Sequence, residues 1–223
     1  MINMDKCQNT IANNRTMPTD NWYKVGYLLS IGDEKGAAKI IDFRLGNTSH
    51  MQQRALLLYM DSFTDKKLLF DLILSVYTND GYDFPKKIIR KTKQLAKDIS
   101  EDQRLHGLQS DARFIRVWRG TTIKDPEAAS LLRTSISWTT DKSVAVFFAN
   151  RCGGVVWEGI IDRKKIIAFC QDRNESEVLQ HMNIRDAHII DISAEELAQA
   201  LEERRRSHEA SVERLRMLYK QSN

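Results

Sequence analysis

The stretch RFIRVWRG, residues 113–120, marks a change in the periodicity of the chain. Within it Phe114 and Trp118 alternate with Ile115 and Val117, which is the pattern of a half-buried β-strand. Before this stretch the apolar residues keep helical spacing, and after it short alternating segments dominate. The sequence therefore predicts an α+β fold whose helices and strands are segregated along the chain.

Residues 1–110 are predicted to form a helical N-terminal lobe. The segments MQQRALLLYMDS and DKKLLFDLILSVY are too apolar for anything but packed helices. In PKKIIRKTKQLAKDIS, Pro85 stands where a helix can begin, and the lysines lie largely opposite the apolar positions. Such a charged face is most often solvated, although it is also compatible with a role near an anionic ligand.

Residues 111–193 are predicted to form a β-rich core, and residues 194–223 a C-terminal helix, the three parts making one integrated domain. Strands are expected at TSISWTT, GGVVWEGIID, KKIIAFC, ESEVLQ and AHIIDIS. The segment DKSVAVFFANR is expected to be a helix capped by Asp141 or Thr140.

The composition is that of a globular protein with material for a core. Of the 223 residues, 42% are hydrophobic and 29% charged. No apolar run approaches the ~20 residues that span a bilayer, and no secretory signal is recognisable, so we expect a cytoplasmic protein without membrane contact. Delivery into the cytosol of a host cell is compatible with this expectation.

The net charge, the cysteines and the histidines limit the kinds of ligand that the protein is expected to bind. The formal net charge of +4 is compatible with an anionic ligand but does not by itself argue for nucleic acid. Cys7, Cys152 and Cys170 are far apart and are expected to be reduced thiols. The histidines show no metal-ligand spacing, so no metal is expected.

Four polar residues stand on predicted strands where a plain core would not place them. Arg119 ends the first strand, Ser137 lies in the second, and Glu175 and Glu177 open the fifth. Residues two apart on a strand share a face, so the two carboxylates are either solvated on an edge strand or line a site that uses them. Taken singly, each of the four has an ordinary structural explanation.

Taken in order, these residues resemble the Arg-Ser-Glu class of mono-ADP-ribosyltransferases, the group of cholera-toxin-like and clostridial binary toxins, some phage enzymes and vertebrate ecto-enzymes. The resemblance covers roughly residues 112–192. In SWTTDKSVAVFF, Ser137-Trp138-Thr139 takes the place of the family's Ser-Thr-Ser motif, and the helix motif follows at the family's spacing. Trp138 departs from the pattern, and we expect its side chain in the core. The implied fold is a mainly antiparallel β-sandwich.

The resemblance implies a role for each of these residues in binding and cleaving NAD. Arg119 would bind the diphosphate, and the backbone of Gly120 the nicotinamide amide. Glu177 would bond the ribose hydroxyl and stabilise the oxocarbenium-like ribose, held in place by Ser137. Ser137 and Thr139 would line the same NAD site.

Glu175 would orient a target guanidinium and take its proton, because Glu-x-Glu in this family accompanies arginine as the acceptor. The resemblance thus implies an effector, toxin or phage-type enzyme that uses NAD+ as substrate, needs no metal and modifies arginine on a protein. In the loop CQDRN, which resembles the family's acceptor-recognition loop, Asp172 and Arg173 receive no role.

Two alternatives stay open. One is NAD glycohydrolysis, with water as the acceptor. The other is a non-catalytic module that binds a partner protein or nucleic acid through the run Arg204-Arg205-Arg206, although a salt-bridged solvent helix is the commoner fate of such a run.

Overall fold

The computed structural model describes residues 19–43, 45, 49–80, 84–128, 136–171 and 175–221. The chain divides into two compact units, one ending at Ser100 and the other beginning at Glu101. The sequence predicts the end of the helical lobe at residue 110. It falls earlier because Glu101 accepts a hydrogen bond from Arg163 at 2.7 Å, and Leu105 packs into the core of the second unit.

The first unit is helical over its described residues. Its helices are α1 (Thr19–Ser30), α2 (Glu34–Phe43), α3 (Ser49–Tyr59), α4 (Lys66–Asp80) and α5 (Lys86–Leu95). A short 3-10 helix, Met60–Ser62, continues α3. Each α-helix contributes at least one buried apolar side chain: Trp22, Ile41, Leu56, Phe70 and Ile88. The predicted helical lobe is therefore confirmed for this part of the chain.

Helix α5 divides into an apolar and a basic face, as its sequence predicts. Ile88, Thr92 and Leu95 are buried. On the basic face, the ammonium groups of Lys87 and Lys91 lie 3.5 and 2.9 Å from the carboxylate of Asp61. These two lysines are thus engaged in ion pairs within the first unit.

The second unit combines a sheet with three α-helices among its described residues. The helices are α6 (Glu101–Arg104), α7 (Lys142–Cys152) and α8 (Ala194–Gln221). The strands are β1 (Phe114–Thr121), β2 (Ser137–Thr139), β3 (Val155–Asp162), β4 (Ala168–Cys170), β5 (Glu177–Leu179) and β6 (Arg185–Ile190). They form one sheet in the order β4-β5-β2-β1-β3-β6, and neighbouring strands are antiparallel.

The α+β fold is confirmed, but the described strands form one open sheet where the sequence analysis expected a β-sandwich. On one face Val117, Trp138 and Trp157 pack into a single apolar cluster. On the other face α7 and α8 pack against the sheet, with Ala145 and Ala200 in a second cluster. Helices, and not a second sheet, pack on this part of the second face.

Helix α7 begins at its predicted N-cap and lies directly on strand β1. The carboxylate of Asp141, rather than the hydroxyl of Thr140, accepts a hydrogen bond from the backbone N–H of Ser143 at 2.9 Å. A Cβ added to Gly120 would lie 2.5 Å from the backbone nitrogen of Ala149 and closer still to the Ala145 carbonyl oxygen. Only glycine lets the helix approach the strand so closely.

Helix α8 has 28 residues and is strongly charged. Arg205 bonds the carboxylates of Glu202 and Glu209, and Arg206 that of Glu202. The predicted salt-bridged helix is confirmed for these two arginines. In the part of the chain that the structure describes, no helix is both long and apolar enough to cross a membrane.

Candidate functional site

Strands β1, β2 and β5 are neighbours in the sheet, and they bring three of the predicted site residues together. Arg119 lies near the end of β1, Ser137 begins β2 and Glu177 begins β5. The register pairs Thr139 with Trp118 on one side and with Glu177 on the other. These residues are distant in the chain, and their proximity is a consequence of the strand order.

The hydroxyl of Ser137 donates a hydrogen bond to Oε1 of Glu177. Ser137 and Thr139 leave the strand on the same face, and the residue between them, Trp138, points the other way. Trp138 is 1% exposed and belongs to the apolar cluster, so its predicted place in the core is confirmed. The strand therefore presents its hydroxyls on the face that carries Glu177.

Arg119 joins this group through the main chain of Ser137. Its Nη1 donates a hydrogen bond to the Ser137 carbonyl oxygen. Arg119 alternates with Trp118 along β1, so its side chain leaves the sheet on the face opposite Glu177. The guanidinium thus ties strand β1 to the residue that holds Glu177, and Arg119 as a whole residue is partly exposed.

Glu175 reaches the site by a route that the sequence analysis did not anticipate. Strand β5 begins at Glu177, so the expectation that both glutamates share one face of a strand is wrong for Glu175. The residue between them, Ser176, has a φ of 46°, in the left-handed region that breaks strand geometry. The backbone of Glu175 is held instead by the hydroxyl of Thr139, which donates to its carbonyl oxygen at 2.6 Å.

Thr139 is a positioning residue in this arrangement. It is 6% exposed, and its hydroxyl also accepts a hydrogen bond from the backbone N–H of Asp141 at 3.0 Å. One buried hydroxyl therefore fixes both the turn that carries Glu175 and the start of helix α7. Gly120, for its part, is explained by the close packing of α7 on β1, independently of any ligand.

The carboxylate of Glu175 faces an arginine of the C-terminal helix. Nη2 of Arg204 lies 3.6 Å from Oε1 of Glu175, and the two side chains are 16% and 20% exposed. The same guanidinium lies over the ring of Phe147 on helix α7, 5.3 Å from its centroid. Glu175, Phe147 and Arg204 thus form one partly buried group.

Sequence reasoning missed Arg204 because it treated residues 204–206 as one charged run. A signal was nevertheless present in the helical spacing of Leu197, Ala200 and Arg204, which lie three and four positions apart. Leu197 and Ala200 pack in the cluster against helix α7. The same face of α8 therefore carries Arg204 toward Glu175, whereas its neighbours in the run point elsewhere.

Three residues that the sequence analysis discussed, Asp172 and Arg173 of the acceptor loop and Cys7, lie outside the described residues. Among the described residues, Cys152 and Cys170 are not joined in a disulfide. Within the described ranges no group of three His, Cys, Asp or Glu side chains is arranged to hold a metal ion.

The geometry defines what this group can do chemically. A carboxylate fixed by a hydrogen bond, as Glu177 is, stabilises positive charge that develops beside it in a reaction. A second carboxylate, that of Glu175, lies two positions earlier in the chain and already faces a guanidinium. The site is therefore suited to a cationic transition state and to a cationic group bound next to it.

Comparison of the chain with protein-family models, with curated proteins and with solved structures finds no match.

Proposed function

We propose that this protein is an NAD-dependent mono-ADP-ribosyltransferase that modifies arginine side chains of a target protein, in a cytosol, on a catalytic core of the ADP-ribosyltransferase type. One observation carries the proposal: Arg119, Ser137 and Glu177 are linked by successive hydrogen bonds across three neighbouring strands. The Arg-Ser-Glu order of the motif supports the same function.

The reaction would break the bond between nicotinamide and ribose C1′, with the bonding electrons leaving on nicotinamide. The ribose then carries positive charge at C1′. Glu177 would bond a ribose hydroxyl and stabilise this charge more in the transition state than in bound NAD. Ser137 supports this role because its hydrogen bond fixes the orientation of the carboxylate before the substrate binds.

Transfer would be completed by a guanidinium nitrogen of the target, which forms a new bond to C1′. The nitrogen loses a proton as this bond forms, and Glu175 would accept it. The contact between Glu175 and the guanidinium of Arg204 supports this assignment, because the carboxylate already lies at ion-pair distance from an arginine side chain. Arg119 would support this site through its hydrogen bond to the carbonyl oxygen of Ser137, because its side chain leaves the sheet on the face opposite Glu177.

NAD glycohydrolysis is the second candidate, and the position of Arg204 favours it for the isolated chain. Arg204 already contacts Glu175, the residue assigned to the target arginine. While that contact persists, water is the acceptor that remains for the ribose cation. A nucleic-acid-binding role is supported less well, because Arg205 and Arg206 are engaged with glutamates of their own helix.

The experiment that tests the proposal is incubation of the protein with NAD labelled on its adenylate portion and with a cytosolic extract. We expect nicotinamide release and labelling of arginine in one or a few proteins, identified by mass spectrometry. Glu177→Gln should lower nicotinamide release by about 10²- to 10³-fold, the usual effect of removing one group that stabilises transition-state charge.

A matched control is Glu203→Gln, which removes an exposed carboxylate from helix α8 at a position bonded only to Gln199 in the described contacts. This variant should retain the wild-type rate. If the wild-type protein releases no nicotinamide and labels no protein, the proposed function is wrong.

A further inference from the structure

Arg204 is held against the candidate site by the face of helix α8 that packs on helix α7. Lys142 of α7 lies 2.5 Å from the carboxylate of Glu196, and Ala200 is buried in the cluster between the helices. Glu196, Ala200 and Arg204 are spaced four residues apart, so they lie on one side of α8. The contact of Arg204 with Glu175 is thus a consequence of how the whole helix docks.

The surroundings of Arg204 suit a guanidinium in particular. Its planar group lies over the aromatic ring of Phe147 at 5.3 Å while Nη2 approaches the carboxylate of Glu175 at 3.6 Å. A guanidinium can stack on a ring and present N–H groups in its plane to a carboxylate at the same time. An ammonium group is a compact and strongly hydrated charge and is less suited to contacting the ring of Phe147 and the carboxylate of Glu175 together. We call these two side chains the cradle.

The neighbouring arginines of the helix provide the contrast. Arg205 and Arg206 have 60% and 73% of their side chains exposed, and their partners are glutamates of α8 itself. Arg204 is 16% exposed, and it contacts two residues outside its own helix. It forms an ion pair with Glu175 and stacks on the ring of Phe147. Arg204 therefore differs from its two neighbours in that Glu175 and Phe147, and not glutamates of its own helix, surround its guanidinium.

We propose that this cradle is the subsite for the guanidinium of a target arginine, and that Arg204 occupies it as an internal substitute for the target. Phe147 is then a specificity-determining residue that selects guanidinium over ammonium. Helix α8 keeps the subsite filled, so a target protein gains access only when its own arginine replaces Arg204. This inference rests on the proposed function for the identity of the acceptor.

The test is a direct binding measurement that needs no NAD. Agmatine, a small guanidinium compound, is titrated into the whole 223-residue chain and followed by NMR or calorimetry. Arg204→Ala should bind agmatine at least about tenfold more tightly than the wild type, because an occupied site reduces apparent affinity by the fraction of molecules in which it is free. Arg206→Ala is the matched control and should bind agmatine as the wild type does.

Two further variants identify the cradle itself. In the Arg204→Ala background, Glu175→Gln and Phe147→Leu should each abolish most of the gain in agmatine affinity. Putrescine, in which a second ammonium group replaces the guanidinium of agmatine, should gain much less affinity from Arg204→Ala than agmatine does. Arg204→Gln serves as a second substitution if circular dichroism indicates that the alanine variant is poorly folded.

The outcomes separate this inference from the proposed function. If agmatine binds the Arg204 variants no more tightly than the wild type, or if putrescine gains equally, the subsite inference is wrong, even where NAD is cleaved and arginine modified. If the Arg204 variants bind agmatine through Glu175 and Phe147 but the protein never cleaves NAD, the subsite stands and the proposed transferase function falls.

Discussion

The hydroxyl of Ser137 donates a hydrogen bond to the carboxylate of Glu177, which is 40 positions away in the chain. The two residues begin neighbouring antiparallel strands, β2 and β5, and the register of this pair sets their separation. A hydrogen bond to a carboxylate is stronger than one between neutral groups, and it limits the orientations that the carboxylate can adopt. The orientation of Glu177 is therefore a property of the sheet.

Ser137→Ala removes this hydrogen bond while leaving the strand intact. We expect nicotinamide release to fall about ten- to a hundredfold, because a hydrogen bond to a charged group contributes about 1.5–3 kcal/mol. The measurement is the rate of NAD cleavage at saturating NAD. Ser143→Ala, which removes a hydroxyl that bonds the helix cap Asp141, is the control and should retain most of the activity. Equal losses in both variants would contradict a special role for Ser137.

Glu175→Gln separates transfer from hydrolysis. The amide cannot accept a proton from the attacking guanidinium, so transfer to arginine should be lost. Cleavage of NAD by water should largely persist, because Glu177 is unchanged. The two products, modified arginine and free ADP-ribose, can be measured in one reaction by chromatography. A parallel loss of both would indicate that Glu175 acts on the ribose as well.

Gly120→Ala should destabilise the second unit. The added Cβ would lie 2.5 Å from the Ala149 nitrogen, and this atom is backbone that cannot move aside cheaply. Overpacking of this kind costs about 1–3 kcal/mol, which a thermal unfolding curve resolves. Gly26→Ala is the matched control: its Cβ would lie 3.4 Å from the Tyr59 hydroxyl, an ordinary contact. That variant should melt at or above the wild-type temperature, because alanine favours a helix over glycine.

Glu196→Gln should change how the docking of helix α8 depends on pH. The hydrogen bond from Lys142, with help from the backbone N–H of Ser193, lowers the pKa of Glu196 below its ordinary value of 4.5. Because the folded pKa is the lower one, the stabilisation is present above about pH 4.5 and is lost as the pH falls through the folded pKa. Wild type and variant should therefore differ at neutral pH and converge in acid.

The measurement for Glu196 is amide hydrogen exchange in the first turns of α8 at neutral and acid pH. Protection in the wild type should exceed that in Glu196→Gln at pH 7 and match it at the acid end. A difference between the two proteins that is the same at every pH would mean that the ion pair with Lys142 does not hold the helix.

Features that depend on local chemistry could be predicted from the sequence. The alternation of RFIRVWRG predicts strand β1, which the structure forms over Phe114–Thr121. A helix cap was predicted at Asp141 or Thr140, because a side-chain oxygen before an apolar helical run satisfies free backbone N–H groups, and Asp141 is the cap. Trp138 was predicted in the core because strand residues alternate between faces.

Features that depend on tertiary contacts could not be predicted in this way. The left-handed backbone of Ser176 places Glu175 outside strand geometry. The sequence Glu175-Ser176-Glu177 contains no residue type that favours this backbone conformation. The contact between Arg204 and Glu175 depends on how α8 docks on α7. The single sheet likewise depends on the helices that pack on part of its second face, and strand patterns alone do not distinguish this arrangement from a sandwich.

Trp138 gives strand β2 an anchor that its three residues would otherwise lack. The strand is too short to be held firmly by its ladder of backbone bonds, yet its central indole is 1% exposed among the apolar side chains of the sheet. Substitutions among the apolar side chains that pack around Trp138 should therefore alter the positions of Ser137 and Thr139. A screen for variants without activity should therefore identify these buried apolar positions as well as the polar site residues, because both determine where strand β2 lies.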